Sequence, residues 1–518
     1  MATFKEKLKE YYELDEDAFE KRIKAPSFSC LPDISSFPCV QCAIERLKRA
    51  KEKQEKVLIY GDYDFDGISA TTILYRALLR FGIQVSYYTP SRYLDGYGLN
   101  EENVTRIAKA GFRLIFTVDN GVSAVAAIQK AASLNVETVV LDHHEYEEAP
   151  VPIVTLIHPK TVGLSSPNVS AGFLSYLFVR ALLRKEDDYL LILGATSLLS
   201  DAMPLVSYNR ETVNLALRLL NQRKPMAFAL LSSKQNFFAS TLQMEIIPKI
   251  NAVGRIETNT ETNRVVRYFS SEDQNEKRML AEYLSRVNEK RKSLTKKAEE
   301  GIQIQNEAES IFVITDLPEG LNGLLASRLL NEYEKPVAVF SPSSKDPSIY
   351  VGSIRSKEGF DVIKALQGNR APLLSSGGHE FAGGVSVKKE DLSLFQKDFE
   401  FAALKHHLEK KEKKTIPLSK EDCTWENYLL LQSLGPFGNE NEAPAFALSM
   451  NTSELTFTKD GKYLSTKIGV NTRLFSFQYG IQHFSEKEKV TFLCHMDANE
   501  WKGRLSLDLL ADEIKKET

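Results

Sequence analysis

Between residues 57 and 157 the chain alternates short apolar runs with helical segments, and this alternation limits the possible folds more than any other feature. Val57–Tyr60, Gln84–Tyr88, Leu114–Val118, Thr138–Leu141 and Ile153–Ile157 read as strands; Ala70–Arg80 and Ala124–Ala132 read as helices. Strands that are apolar on both faces and separated by helices bury their surface in a doubly wound parallel sheet, an α/β fold with helices on each side. The composition, 43% hydrophobic and 26% charged, excludes wholesale disorder and collagen-like repeats. A net charge of −3 excludes a histone-like polycation, so any nucleic-acid site must be a local patch. No apolar run reaches the ~18 residues of a membrane span. The charged start MATFKEKLKE has no signal-peptide core, and five cysteines fit a reducing compartment, so a cytoplasmic protein is expected. Cys39 and Cys42 form a CxxC with neither a second pair nor a nearby histidine, which predicts buried thiols rather than zinc.

The pattern divides the chain into five parts. Residues 1–50 read as an N-terminal helical segment, 51–270 as the first α/β domain and 271–305 as a charged bridging helix. Residues 306–408 read as a second α/β domain, with strands at 311–315, 337–340 and 349–354. A linker beginning at His406 and His407 leads to 409–518, where short alternating runs predict a small β-barrel. The helix LLASRLL places Arg328 among apolar residues, where an interdomain ion pair is expected.

The chemistry concentrates at strand ends. Asp62, Asp64 and Asp66 alternate immediately after Val57–Tyr60, between Gly61 and Gly67. Three carboxylates this close repel one another unless a cation compensates. An EF-hand is excluded, because the following Ile68–Leu74 supplies no bidentate glutamate. Asp119 follows the strand ending at Val118, Asp142-His143-His144 follows Leu141, and Asp201 ends a further apolar stretch. Carboxylates mixed with imidazoles and no cysteine favour Mn²⁺ or Mg²⁺. The candidate ligands outnumber what one ion needs, which points to a two-metal phosphoester hydrolase.

GDYDFDGIS (61–69), TVDNG (117–121), LDHH (141–144) and SDAMPL (200–205) resemble the four motifs of the DHH phosphoesterase superfamily. Within it the chain resembles the RecJ family of single-strand-specific DNA exonucleases. SRYLDGYGL (91–99), PKINAVGRI (248–256) and LAEYLSRVNEKR (280–291) resemble its later segments. PEGLNGLLASRL (318–329), GSIRS (352–356) and GGHEFAGG (377–384) are similar to a DHHA1 domain, and LGPFGNENEAPAF (434–446) to the segment leading into an OB-fold barrel. The chain departs from the family pattern before Val40, at Lys249 where arginine is usual, and at Leu317-Pro318 before Glu319.

The resemblance implies metal ligands at Asp64, Asp66, Asp119, His143 and Asp201. It implies ligand or acid/base roles for Asp62 and His144, with Asp142 orienting a histidine. Substrate contacts are implied at Arg92, Arg255, Ser353, Arg355 and Ser356, and at Gly377, Gly378 and His379, where backbone N–H groups can approach a phosphate. The implied activity is 5′→3′ hydrolysis of single-stranded DNA in repair and recombination, with two Mn²⁺ or Mg²⁺ ions. Single-strand-binding protein and a RecQ-type helicase are the implied partners. In the barrel, Phe437, Phe446, Phe457, Tyr463, Phe475, Phe477 and Tyr479 lie among Lys459, Lys462, Lys467 and Arg473. Stacking aromatics with cations suit single strands. Most barrel aromatics are core, so two or three are expected at the surface. All implied catalytic residues precede Gly435, so the barrel is expected to be dispensable for cutting short strands. His158, His483, His495 and the His406-His407 pair are expected to have structural or solvated roles. Two alternatives stand beside this reading: a DHH phosphodiesterase for short oligoribonucleotides or phospho-adenosine nucleotides, and a non-catalytic DNA-binding DHH subunit. The former relatives are usually shorter and lack bridging helix and barrel; the latter predicts broken metal motifs.

Overall fold

The computed structural model describes residues 2–302, 308–405, 414–485, 488–501 and 504–516; His406 and His407 lie outside them. The first sheet contains β1 (Lys56–Tyr60), β2 (Gln84–Tyr88), β3 (Phe112–Val118), β4 (Glu137–Leu141) and β5 (Thr155–Ile157), all parallel, in the order β2-β1-β3-β4-β5. Period-two alternation divides β1 between two cores. Val57 and Ile59 face one that includes the helices Phe65–Phe81, Ala171–Leu183 and Asp188–Ser200. Leu58 and Tyr60 face the other, with Ile107 and Ile128. Because β1 sits between β2 and β3, the crossovers diverge there. The crevice beyond the carboxyl ends of β1 and β3 is the switch point where open α/β sheets bind ligands.

The helix Gln274–Glu300 leaves the first domain, capped at its start by Asp273, which accepts the Asn275 and Glu276 N–H groups at 2.8 and 3.3 Å. Near its other end Glu299 pairs with Arg328 of the second domain at 2.8 Å, the interdomain pair expected for that arginine. The second sheet is mixed. It contains β6 (Ile311–Ile314), β7 (Val337–Pro342), β8 (Ile349–Arg355), β9 (Leu373–His379) and β10 (Ala382–Lys388), in the order β6-β7-β8-β10-β9. The third contains β11 (Thr415–Leu418), β12 (Ala445–Asn451), β13 (Leu464–Gly469), β14 (Thr472–Ser476), β15 (Lys489–Trp501) and β16 (Arg504–Lys516), in the order β11-β12-β15-β16-β14-β13.

The first fifty residues divide between two cores. Phe4, Leu8 and Phe19, from the helices Phe4–Tyr11 and Glu16–Ile23, are buried with Phe446, Leu474 and Phe492 of the third domain. Lys7 pairs with Asp422 at 2.7 Å. The helix Pro38–Glu52 packs instead on the first domain through Val40, Ile44 and Leu47. The expectation of buried thiols fails for Cys42, which is exposed, while Cys30 and Cys39 are half-buried. Cys39 and Cys42 each donate weakly to a carbonyl, of Thr161 and Val154.

Candidate active site

The loop after β1 is shaped by its two glycines and by Asp64. A Cβ at Gly61 would lie 2.0 Å from Thr71 Oγ1, and one at Gly67 would lie 2.6 Å from the Cβ of Asp62, so the loop folds tightly onto the helix it opens. Asp64 caps that helix, its Oδ1 accepting the Asp66 and Gly67 N–H groups at 3.0 and 3.2 Å. The helix therefore begins at Phe65, earlier than the Ala70 read from apolar spacing, and Asp66 falls in its first turn. Asp66 is buried, and its two oxygens accept the N–H groups of Ala171 and Gly172 at 2.8 and 2.7 Å.

Asp119 leaves β3 with φ +62°, a left-handed conformation uncommon for a non-glycine residue, which turns it back over the strand ends. Two side chains not singled out in the sequence hold this arrangement. Asn120 Nδ2 donates to the carbonyls of Val118, Gly61 and Tyr60 at 2.9, 3.2 and 3.3 Å, tying β1 to β3. Asn251 Oδ1 accepts the Phe65 N–H at 2.7 Å, holding the loop from the other side. Both asparagines lie within the TVDNG and PKINAVGRI segments, the one signal that could have marked them.

The acidic and imidazole groups converge. His143 Nε2 lies 3.2 Å from Asp119, 3.6 Å from Asp66 and 3.7 Å from Asp201. Among the described residues three sets bring ligand atoms within 4.8 Å of one another: Asp62, Asp64 and Asp119; Asp66, His143 and Asp201; and Asp119, His143 and His144. Asp119 and His143 belong to two sets each, so two neighbouring cation positions can share them. Buried Oδ1 of Asp62 has no hydrogen-bond partner. Burial and then the neighbouring carboxylates push Asp66 up to about 7, and Asp201 to about 8; the same causes hold Asp62 and Asp119 well above their ordinary values. Burial and the adjacent His144 lower His143 to about 4. A buried carboxylate cluster with an orphaned oxygen fits divalent cations.

Asp142 accepts the N–H groups of His143 and Val122 at 2.8 and 3.1 Å and meets His144 Nδ1 at 2.8 Å. Burial opposes the charge on both partners, but their mutual hydrogen bond and charge outweigh it. His144 rises to about 9, and Asp142 falls below its ordinary value. The Tyr97 hydroxyl donates to the Asp119 carbonyl at 3.1 Å and stands 3.3 Å from His144. His158 is buried and bonds the His144 carbonyl at 3.1 Å, a structural role beside the site. His495 pairs with Asp512, and His483 bonds within its own turn.

Facing the acids is a group of guanidinium side chains. Arg92 lies over the Tyr63 ring, 4.4 Å from its centroid. Burial first, then the charges of Arg92, Arg291 and Arg355, lowers Arg255 to about 10, while Asp64 opposes the shift. The buried Nε atoms of Arg92 and Arg291 have no partner. These guanidinium groups face the carboxylates, Arg255 toward Asp64 and Arg92 toward Asp62. A Cβ on Gly320 would sit 2.5 Å from the Arg255 carbonyl, so backbone contact there seats the second domain against the first.

On the second domain, Arg355 of β8 lies opposite Ala382, which lies opposite His379; Ser353 lies opposite Gly384, which lies opposite Gly377. Ser353, Arg355 and His379 thus share one face, with a bare floor at Gly377 and Gly384, where an added Cβ would meet nothing within 4 Å. Gly378 has φ +142°. The glycine-rich stretch runs from the exposed edge strand β9 through a tight turn into β10, which lies inside the sheet between β8 and β9. Gly323 leaves room for the guanidinium, since its Cβ would lie 2.8 Å from Arg355 Nη2. Ser356 is not brought to this face: it is buried and its hydroxyl donates to the Phe360 carbonyl at 2.8 Å.

In the third domain Phe446 and Phe475 are buried, Phe437 and Phe457 pack against the core, and Tyr479 is half-buried. Phe477 and Tyr463 are 72% and 38% exposed, and with Phe475 they form one cluster, in line with the two or three surface aromatics expected. Arg473, stacked on Phe475 and paired with Asp508, belongs to the same patch. No helix among the described residues is long and apolar enough to cross a membrane.

Residues 56–195 match the DHH family, N-terminal domain; residues 310–403 match the DHHA1 domain; residues 416–513 match the RecJ OB domain. The chain is 29% identical over 497 residues to the single-stranded-DNA-specific exonuclease RecJ of Bacillus subtilis strain 168, covering 90% of this chain but 62% of that protein. It is 28% identical over 527 residues to the protein of the same name from Escherichia coli strain K12, covering 92% of this chain and 90% of that one. The crystal structure of RecJ from Thermus thermophilus in complex with Mn²⁺ superposes with a TM-score of 0.80 at 24% identity, covering 93% of this chain and 72% of that one. With three matches in this order on one chain, around the acidic cluster described above, the protein belongs to the DHH family, in the branch that carries a DHHA1 domain and a RecJ OB domain.

Proposed function

We propose that this chain is a metal-dependent exonuclease that hydrolyses single-stranded DNA to mononucleotides from the 5′ end, in DNA repair and recombination. One observation carries the reading: a buried carboxylate and histidine cluster stands beside a group of guanidinium side chains, with Arg255 feeling both Asp64 and Arg355. The substrate named for the Bacillus and Escherichia relatives and the Mn²⁺ of the Thermus structure support it.

We assign Asp62, Asp64 and Asp119 to one cation position, and Asp66, His143 and Asp201 to the other. Two Mn²⁺ or Mg²⁺ ions there would lower the pKa of a water to yield hydroxide and offset charge on the phosphodiester and leaving oxygen. Asp142 fixes His144 through Nδ1, leaving Nε2 to give a proton to the leaving oxygen. Arg92, Arg255, Ser353, Arg355 and His379, over the floor of Gly377 and Gly384, hold the terminal phosphate through charge-assisted bonds; Gly378 alternates to the opposite face of the sheet. The expected partners beyond DNA are single-strand-binding protein and a RecQ-type helicase, and the expected compartment is the cytoplasm.

Protons and cations compete for these carboxylates. With Asp66 near 7 and Asp201 near 8 before binding, cation binding must displace protons. Mn²⁺ affinity should therefore rise from pH 6 to pH 8. Calorimetry in buffers of different ionisation enthalpy should record proton release; a pH-independent affinity would contradict the cluster.

The exposed ring of Phe477 should stack on bases beyond the active site. A base stacked on an aromatic ring contributes roughly 1–3 kcal/mol, so Phe477→Ala should weaken binding of long single strands about five- to a hundredfold. Cleavage of trinucleotides should change little. Equal losses on every length would make Phe477 a folding residue.

The direct test is purified protein with Mn²⁺ on 5′- and 3′-labelled single-stranded and duplex DNA. Early release of the 5′ label as a mononucleotide, with duplex resistant, is expected. Early release of the 3′ label, or equal attack on duplex, would overturn the reading.

A further inference from the structure

Asp201 differs from the other acids of the cluster in its support. Asp62, Asp64, Asp66, Asp119 and Asp142 follow sheet strands, whereas Asp201 caps the carboxyl end of the helix Asp188–Ser200 and is followed by Ala202 with φ +49°. The loop it opens is gripped by the segment leading into the barrel. Asn439 Nδ2 donates to the Ala202 carbonyl at 3.2 Å, and the Asn439 carbonyl accepts the Leu205 N–H at 2.8 Å. A Cβ on the neighbouring Gly438 would lie 2.8 Å from Leu205 Cδ1, so the two segments lie in close contact. Gly438 and Asn441 exchange two backbone hydrogen bonds, 2.9 and 3.1 Å, closing the turn that presents Asn439.

The same segment is anchored on its other side. Arg210 donates to the carbonyls of Leu434 and Ser433 at 3.1 and 2.8 Å, and Asn214 Nδ2 to that of Gly435 at 2.8 Å. Asn441 Nδ2 donates to the Pro436 carbonyl at 2.8 Å, and Arg22 to Asn441 Oδ1 at 2.5 Å. The turn is thus a fixed bracket, bonded to the first domain and to the N-terminal helices just before the chain enters the barrel.

From this bracket we propose that Asn439 is a positioning residue for Asp201, which makes the third domain part of the metal centre as well as a strand-binding surface. The proposal rests on the assignment of Asp201 to a cation. It revises the expectation that chemistry on short strands needs nothing beyond Gly435, because a chain cut there lacks the group that fixes the Ala202 carbonyl.

Calorimetric titration with Mn²⁺ tests this on the full chain carrying Asn439→Ala, Asn439→Asp or Asp201→Ala. Asp201→Ala should remove one binding event. Asn439→Ala should weaken that same event about three- to tenfold, as expected for one neutral hydrogen bond, with the other event unchanged. Asn439→Asp keeps the shape and the backbone acceptor but loses the donor, so it should weaken the event at least as much; it also replaces the alanine variant if that one does not fold. Trinucleotide cleavage should need correspondingly more Mn²⁺. A parental isotherm in the Asn439 variants, with Asp201→Ala altered, would overturn the positioning role alone. A parental isotherm in Asp201→Ala would overturn the metal assignment beneath it. Failure of both Asn439 variants to fold would make the bracket a folding element and also count against the proposal.

Discussion

Asp119→Ala should lower hydrolysis on the order of 10³-fold or more, because it removes an oxygen shared by two of the three ligand sets. No other carboxylate can substitute. Asp119 reaches both sets through a left-handed backbone at the end of β3, while Asp62 and Asp64 are held by the loop after β1. The metal-free variant should be no less stable than the parent, since loss of one buried carboxylate relieves repulsion among the rest. Single-turnover rates at saturating Mn²⁺, paired with thermal melting without metal, check both parts. Near-normal rates would remove Asp119 from the chemistry. A large fall in melting temperature without metal would show the carboxylate to be structural.

Arg355→Ala should have the second-largest effect, confined to one kind of end. Arg355 faces the bare floor of β9 and β10 beside Ser353 and His379, and burial lowers its pKa. A charge-assisted contact to phosphate contributes roughly 1.5–3 kcal/mol, so the variant should lose about ten- to a hundredfold in kcat/KM on 5′-phosphorylated strands. Strands ending in a 5′-hydroxyl should lose much less, and the preference between the two ends should shrink. Mn²⁺ affinity should stay at the parental value. Equal losses on both ends would mean that Arg355 packs the second domain internally, against the helix at Gly323, rather than reading the phosphate.

What could be read before the fold was known followed local period. The first sheet was legible because β1 alternates between two cores and its neighbours repeat the pattern, and the acids were legible because ligands gather at strand ends. The helix Phe65–Phe81 begins five residues before Ala70, since apolar spacing marks the buried face and not the cap; Asp64 sets the boundary. Contacts joining distant parts of the chain left no periodic trace. Phe4 stacks with Phe446, which no local pattern announces. Asn439 grips the Asp201 loop through two hydrogen bonds, one of them from its backbone carbonyl, which any residue would supply. Ser356 sits one position beyond Arg355, and its hydroxyl turns inward to Phe360 once β8 has ended.

The central claim is that two cations sit side by side in the acidic cluster. Anomalous diffraction at the manganese edge from crystals soaked in Mn²⁺ tests it most directly. Two peaks are predicted, one among Asp62, Asp64 and Asp119 and one among Asp66, His143 and Asp201, with Asp119 between them. A single peak, or manganese bound away from these residues, would contradict it.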